Sequence, residues 1–216
     1  MNLLIMGPAG SGKGTMSRKI AKYFGITHVA TGDMFRDAIA KQTPVGKEAK
    51  DYIDQGKFVP DDVTNRMVKE RITMDDCKND YLLDGYPRNL FQADAFSELS
   101  YQIDNPLDHV INLNIPYEEL AKRITGRRIC PTCGKIYHVE NRPPLVDGVC
   151  DRDGSALVQR TDDTEEKLKV RHEDYINQTA PVIDYYREQG LVYDVDATQS
   201  IDDVWEIIES YLEAVK

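Results

Sequence analysis

The sequence predicts an α/β protein, a parallel sheet with helices on both faces, interrupted by one small β-rich insertion. Three observations lead there. Short apolar runs of β type recur at residues 2–6, 27–30, 81–84, 110–115 and 191–195. Stretches with the helical period separate them, at 13–24, 33–41, 46–55, 61–73, 90–99, 117–125, 165–188 and 201–215. From Gly126 to about Asp163 that period vanishes, and Cys, Pro and Gly accumulate around β-like pieces such as Lys135-Ile136-Tyr137-His138-Val139. Strands that read as continuous apolar runs and alternate with helices are parallel and buried on both faces, because each crossover lays a helix on the sheet.

Each element has a local reason. Asn2-Leu3-Leu4-Ile5-Met6 runs straight into a Gly-rich turn, and an amphipathic stretch opens at Lys13, giving a strand–loop–helix unit. Asp61 and Asp62 follow Pro60 and start a helix, since acidic side chains in the first turn face the positive end of the helix dipole. Asp202 plays the same part near the start of the last helix. Pro181 lacks an N–H and kinks the long helix that ends near Gly190. No internal repeat and no low-complexity linker is present.

A chain of 216 residues can bury a sizeable core, as one domain with insertions or two small ones. Hydrophobic residues make up 41% and charged residues 30%, so the chain is neither disordered nor fibrous. The apolar runs are too short for a transmembrane helix, and Met1 leads directly into the first strand without room for a signal peptide, so the expected location is the cytoplasm. Cys130, Cys133 and Cys150 lie close together and Cys77 stands alone, a poor disulfide framework. The net charge of −10 argues against nucleic acid as a partner, because neutralising a phosphate backbone requires a basic surface.

The loop Gly7-Pro8-Ala9-Gly10-Ser11-Gly12-Lys13-Gly14-Thr15 has the make-up of a phosphate cradle. Glycines let backbone N–H groups turn toward phosphate oxygens, the following helix N-terminus adds positive potential, and Lys13 reaches the terminal phosphates. A merely flexible turn is the competing reading, and the strand–loop–helix context opposes it. General phosphate loops put Ser or Thr directly after the lysine to hold magnesium. Here that position is Gly14, and the hydroxyl follows at Thr15.

GKGT after a strand is typical of nucleoside monophosphate kinases, and further motifs in order make the chain resemble the adenylate kinases, in the long-lid, zinc-containing bacterial form. These are Thr31-Gly32-Asp33-Met34-Phe35-Arg36, Gly56-Lys57-Phe58-Val59-Pro60-Asp61, and Leu83-Asp84-Gly85-Tyr86-Pro87-Arg88 with Gln92. Gly126-Arg127-Arg128 and Gln159-Arg160-Thr161-Asp162-Asp163, followed by Arg171, match the family's lid boundaries. The resemblance runs from Gly7 to Gln199. It implies a phosphate-loop core with a five-stranded parallel sheet (1–30, 61–125 and 164–216), a helical AMP-binding arm (31–60) and a lid (126–163).

It also implies reversible transfer of a phosphoryl group, ATP plus AMP giving two ADP, by a monomer. Thr31, Arg36, Lys57, Phe58, Val59, Gly85, Tyr86, Pro87, Arg88 and Gln92 would line the AMP pocket. Gly10 through Thr15, Arg123, Arg127, Ile136, Tyr137 and Gln199 would meet ATP, with Arg123 packing on adenine. Arg160 and Arg171 would hold the AMP and transferred phosphates; with Lys13, Arg88 and Arg127 they form the expected catalytic set. Asp84, with Thr15, would order the water shell of Mg2+. The acceptor phosphate is already anionic, so no general base is expected. Charge crowded between two nucleotides must be stabilised instead, and guanidinium forks suit that task. Ser11, Tyr86, Asn89 and Arg66 depart from the usual family pattern.

Cys130-x₂-Cys133 and Cys150-x₂-Asp153 are two knuckle-like pairs, which suits tetrahedral Zn2+. Asp153 is the expected fourth ligand and His138 its rival. Four protein donors leave no open position, so the metal would be structural. Cys77 is expected to be a bystander, His28, His109 and His172 to serve core or surface packing, the Tyr185-Tyr186 pair and Trp205 to pack on late helices, and Arg128 to lie at the surface. Two other functions compete: a kinase for UMP, CMP or GMP, and a non-catalytic zinc-ribbon adaptor that recognises nucleic acid or protein.

Overall fold

The structure is a computed structural model that describes residues 1–216. Five strands form one parallel sheet: β1 (Asn2–Met6), β2 (Thr27–Ala30), β3 (Tyr81–Asp84), β4 (His109–Asn114) and, numbered after the two strands of the insertion, β7 (Val192–Asp196). Their spatial order is β2-β3-β1-β4-β7. From β1 the chain first builds leftward to β2 and β3 and then rightward to β4 and β7. The switch therefore lies beside β1, and ligands of such sheets bind beyond the carboxyl ends of the strands at that point.

Alternation along β1 explains its position at the centre. Leu4 and Met6 pack on one face with Phe96 of α5 (Leu90–Gln102), Val68 of α4 (Asp61–Ile72) and Tyr186 of α8 (Ala180–Glu188). Leu3 and Ile5 pack on the other with Ile20 of α1 (Lys13–Phe24) and Ile208 of α9 (Ile201–Val215). A strand between two helix layers has apolar residues at every position, which is why its sequence shows no polar alternation.

Two parts of the chain carry small cores of their own. Phe35 of α2 (Thr31–Ala40) and Ala49 of α3 (Pro44–Asp54) pack with Val59 and Val63. In the insertion, the antiparallel pair β5 (Arg127–Ile129) and β6 (Ile136–His138) encloses Cys130, Tyr137 and Cys150. Between the insertion and the sheet, α6 (Tyr117–Thr125) and α7 (Glu165–Asp174) meet through Leu120, Ile124 and Leu168.

Several boundaries differ from expectation, two of them for identifiable reasons. Helix α3 begins at Pro44 and not at residue 46, because Thr43 caps it by accepting from the Gly46 N–H, and a first-turn proline has no N–H to leave unpaired. Helix α9 begins at Ile201 as expected, capped by Ser200, which accepts from the Asp203 N–H, with Asp202 in its first turn. The long helix expected over residues 165–188 is three pieces. A π-helical turn at Tyr175–Thr179 separates α7 from α8, directly before Pro181. The expected disturbance is present, and its form is a bulge in the hydrogen-bond ladder beside the residue that cannot donate.

Candidate active site and metal cluster

The loop after β1 turns with Gly12 at φ 103°, a left-handed conformation open to glycine, and delivers the chain into α1. Lys13 folds back over this loop, its Nζ donating to the Gly7 carbonyl at 2.7 Å and the Pro8 carbonyl at 2.9 Å. Burial, with the positive charges of Arg171, Arg88 and Arg127 adding to it against the pull of Asp84, lowers its pKa to about 8. Gly14 faces the carboxylate of Asp84: a β-carbon there would stand 3.7 Å from Oδ2. The position where other phosphate loops carry a hydroxyl is thus next to an acid that ends the neighbouring strand.

Asp84 closes β3 in register with Ile5, which places it beside the start of the loop. Burial alone would raise its pKa, but His28 and Lys13 outweigh that and hold the carboxyl below its usual range. His28 Nε2 lies 3.6 Å from Asp84 Oδ2, and the Ser17 hydroxyl donates to the same oxygen at 3.4 Å. The packing role expected for His28 is therefore corrected: it is the polar neighbour of the acid at the loop. Its position on β2, one strand away and 56 residues distant in sequence, leaves no local trace.

One cavity of about 1140 Å³ runs across the carboxyl ends of the strands. Its lining brings together Gly10, Ser11, Gly12, Lys13, Gly14, Thr15, Arg36, Lys57, Phe58, Val59, Asp84, Gly85, Tyr86, Pro87, Arg88, Arg123, Arg127, Ile136, Tyr137, Arg160, Arg171 and Gln199. Thr31 and Gln92 stand behind its wall. Thr31 is buried and donates to the Gly85 carbonyl at 2.9 Å. Gln92 is buried too: its Oε1 accepts from the Arg88 N–H at 2.8 Å and its Nε2 donates to Asp61 at 2.6 Å. Asn89, a departure from the family pattern, caps α5 by accepting from the Gln92 N–H and donates to the same Asp61. Tyr86, another departure, uses its extra hydroxyl to donate to Asn65 at 2.8 Å.

The guanidinium groups arrive from helices, a strand and loops, and most meet carboxylates. Arg36 of α2 donates to Asp33 at 2.6 Å, and Arg160 reaches the same oxygen at 3.4 Å. Arg171 of α7 donates to Asp162 at 2.7 Å, and Arg127 of β5 pairs with the fully buried Asp163 through two nitrogens. Arg88 has no carboxylate partner. Its Nε donates to the Gly85 carbonyl at 2.7 Å and its guanidinium lies 4.7 Å from the centre of the Phe58 ring. Gly85 at φ 81° allows this approach, since a β-carbon there would come within 3.0 Å of Thr31 Oγ1 and 3.3 Å of Arg88 Nη2. Burial and the nearby charge of Arg171 lower the Arg88 pKa to about 10, and burial with Arg36 and Arg127 does the same to Arg160. So many cations share one concave site that phosphate oxygens are its natural complement. Arg123 donates to the Ala197 carbonyl at 2.8 Å, at the far end of the cavity beside Gln199. Arg128 points its Nη1 to the carbonyls of Thr125 and Arg127, away from the arginine group.

In the insertion, donor atoms of Cys130, Cys133, Cys150 and Asp153 all lie within 4.8 Å of one another. Zinc–sulfur bonds of about 2.3 Å at tetrahedral angles separate two sulfurs by about 3.8 Å. Cys133 Sγ and Cys150 Sγ are 3.6 Å apart, and Cys130 Sγ lies 3.3 Å from Asp153 Oδ2, so the set fits such an ion. His138, the rival fourth ligand, is elsewhere: its Nδ1 accepts from the Glu140 and Asn141 N–H groups and its Nε2 lies 3.1 Å from the Lys122 carbonyl oxygen. Cys77 is buried under Arg71, whose Nη1 comes within 3.0 Å of its sulfur. No helix is long and apolar enough to cross a membrane.

The family profile described as "Adenylate kinase" matches residues 5–191. Curated relatives carry the same name. The chain is 47% identical to adenylate kinase of Archaeoglobus fulgidus over the whole of both chains. It is 50% identical to that of Exiguobacterium sibiricum, covering 98% of this chain and 99% of the other. With that of Bacillus subtilis the identity is 46% over the full length of both. A phosphate loop joined to an arginine-lined cavity, together with likeness along the entire chain, leads to one conclusion: the chain belongs to the adenylate kinase family.

Proposed function

We propose that the cavity holds Mg-ATP and AMP end to end, and that its cations stabilise the phosphoryl group as it passes between them. The observation that carries this reading is the convergence of Lys13, Arg88, Arg127, Arg160 and Arg171 on one cavity, with Asp84 at its edge. Gly10 to Thr15 would cradle the ATP phosphates, while Arg123, Ile136, Gln199 and the backbone of Tyr137, whose side chain is buried among the cysteines, would flank its base and ribose. Arg36, Lys57, Phe58, Val59, Gly85, Tyr86, Pro87 and Arg88 would enclose AMP. Thr31 and Gln92 reach it only if the wall in front of them moves, and Gln92, whose Oε1 and Nε2 already bond Arg88 and Asp61, then offers the base its second amide hydrogen.

Asp84 and Thr15 would hold the hydrated magnesium ion, which when bound neutralises charge on the transferring phosphates. Every other contribution comes from the chain. The arginines position both phosphates in line and supply preorganised donors where negative charge accumulates, worth roughly 10³–10⁵ in rate per well-placed arginine in related transfers. The separate cores of residues 31–60 and 126–163 support an arm and a lid that close over residues 1–30, 61–125 and 164–216 and exclude water. Cys130, Cys133, Cys150 and Asp153 would bind a structural zinc ion that staples the lid. A cleft built wholly from one chain fits a monomer, and thiols arranged as metal donors fit the reducing cytoplasm.

The test is phosphoryl transfer from ATP to each of AMP, GMP, CMP and UMP with magnesium. AMP is expected to be strongly preferred. A faster rate with UMP or CMP overturns the acceptor assignment.

A further inference from the structure

The metal cluster and the nucleotide cavity share one strand. Strand β6 contributes Ile136, Tyr137 and His138 to the cavity lining. The side chain of Tyr137 packs among Cys130, Cys133, Cys150 and Leu157, only 2% exposed. Its hydroxyl donates to Cys150 Sγ at 3.4 Å and accepts from the Asp151 N–H at 2.8 Å. Lys135 covers the ring at 4.8 Å and reaches Asp151 at 3.2 Å, fixing the same turn from outside. On its other edge β6 pairs with β5, where Arg128 is opposite Tyr137 and Arg127 opposite His138. A shift of Tyr137 therefore moves the backbone that carries Arg127 into the cavity.

We infer that Tyr137 is a positioning residue that couples metal retention in the lid to nucleotide binding on the ATP side, its hydroxyl tying the Cys150 knuckle to the strand that lines the cavity. This rests on the reading of the cluster as a zinc site. Outer partners that hydrogen-bond a metal ligand change metal affinity by 10–100-fold when removed, because they orient the ligand and spread its charge. Coupling between two sites is reciprocal: if metal orders β6 for ATP, ATP must retain the metal by the same factor. The phenolic hydroxyl is well suited to the link. It can donate to sulfur and accept from a backbone N–H at once, which no apolar side chain can do.

The experiment uses the full zinc-loaded chain and follows zinc transfer to the chromophoric chelator 4-(2-pyridylazo)resorcinol, alone, with Mg-ATP, and with AMP. Without both nucleotides no turnover occurs. Mg-ATP is expected to slow release about 10-fold, within the range typical of coupled sites, and AMP to leave it unchanged. Tyr137→Phe is expected to release zinc about 10-fold or more faster and to lose the protection by Mg-ATP. Replacing zinc by Co2+ adds a signature that a packing role would not move. Loss of the hydrogen bond to sulfur should shift the thiolate-to-cobalt band of Tyr137→Phe to lower energy. Equal release rates and equal Mg-ATP protection in parent and variant overturn the inference while leaving the zinc site standing. A parent chain that binds no metal overturns the zinc reading and the inference together. Should Tyr137→Phe fail to fold, the cobalt-loaded parent decides: a band displaced by Mg-ATP supports the coupling, and an unmoved band refutes it.

Discussion

Arg127 and Asp163 meet in a two-point pair, Nε donating to Oδ2 at 2.7 Å while Nη2 donates to Oδ1, and the side chain of Asp163 has no exposed surface. Burial would lower the Arg127 pKa, yet this partner holds it above its usual value. Removing one member of a buried pair leaves the other as an uncompensated charge. Asp163→Asn is therefore expected to destabilise the fold by about 3 kcal/mol, from the range for broken buried pairs. Asp33 is the contrast. It pairs with Arg36 and Arg160 but keeps 47% of its side-chain surface exposed, so Asp33→Asn should cost under about 1 kcal/mol. Urea unfolding of both variants checks the difference; equal costs would mean that burial does not rank these pairs.

Lys13 sets a pH dependence. In the proposed reading its protonated form binds phosphate, and in the free enzyme its pKa is lowered to about 8 by burial and by the neighbouring arginines. Bound ATP adds negative charge beside it and raises that value. As pH rises through 8, kcat/KM for ATP should fall, while kcat holds to higher pH because the bound complex stays protonated. The stability effect has the opposite sense. Between about 8 and the ordinary lysine value of 10.5 the folded chain binds fewer protons at Lys13 than the unfolded chain, so this group's contribution to stability improves with pH. Parallel pH profiles of kcat and kcat/KM check the first statement, and identical profiles would remove Lys13 from the ATP phosphates.

Removing zinc should act on stability and leave the chemistry largely intact. Structural zinc supplies roughly 10–16 kcal/mol in isolated zinc-finger peptides. The gain here should be much smaller, because the metal donors sit in a small core separate from the two that cover the main sheet. A chelator is expected to lower the unfolding temperature while kcat at saturating ATP and low temperature persists, with the KM for ATP rising about 10-fold through the coupling proposed above. Asp153→Cys should keep the metal and Asp153→Ala should weaken it. Metal content per chain, read alongside thermal unfolding, distinguishes these outcomes. Loss of turnover in a zinc-free chain that remains folded would show that the metal does more than staple.

Much of this was legible in order along the chain, because the signals are local. The run from Leu3 to Met6, the turn into Lys13 and the cysteine knuckles each carry their reason within a few residues. What escaped was long-range. Arg160 finds Asp33 across 127 residues, and Gln92 finds Asp61 across 31. His28 meets Asp84 only because β2 and β3 lie side by side. Such pairs depend on topology, which no spacing within one segment reveals. Helix α3 was misplaced by two residues for a different reason. The helical period is first visible at Gly46, but Thr43 and Pro44 open the helix, and Gly46 in its first turn is a close-packing position, where a β-carbon would come 2.1 Å from the Ala38 carbonyl oxygen.

Comparing kcat and the unfolding temperature of Arg88→Lys with those of the parent tests most directly whether oriented guanidinium forks carry the phosphoryl transfer. Arg88 stands free of carboxylates, stacked on Phe58 and held through its Nε by the Gly85 carbonyl, and its backbone carbonyl accepts from the Thr179 hydroxyl at 2.8 Å. Lysine keeps the charge but loses the planar pair of donors. The expected result is a fall in kcat of roughly 100-fold or more, consistent with the weight of one arginine in such transfers, with the unfolding temperature almost unmoved. An unchanged kcat in a folded variant would contradict the account, because Arg88 would then lie outside the reacting centre.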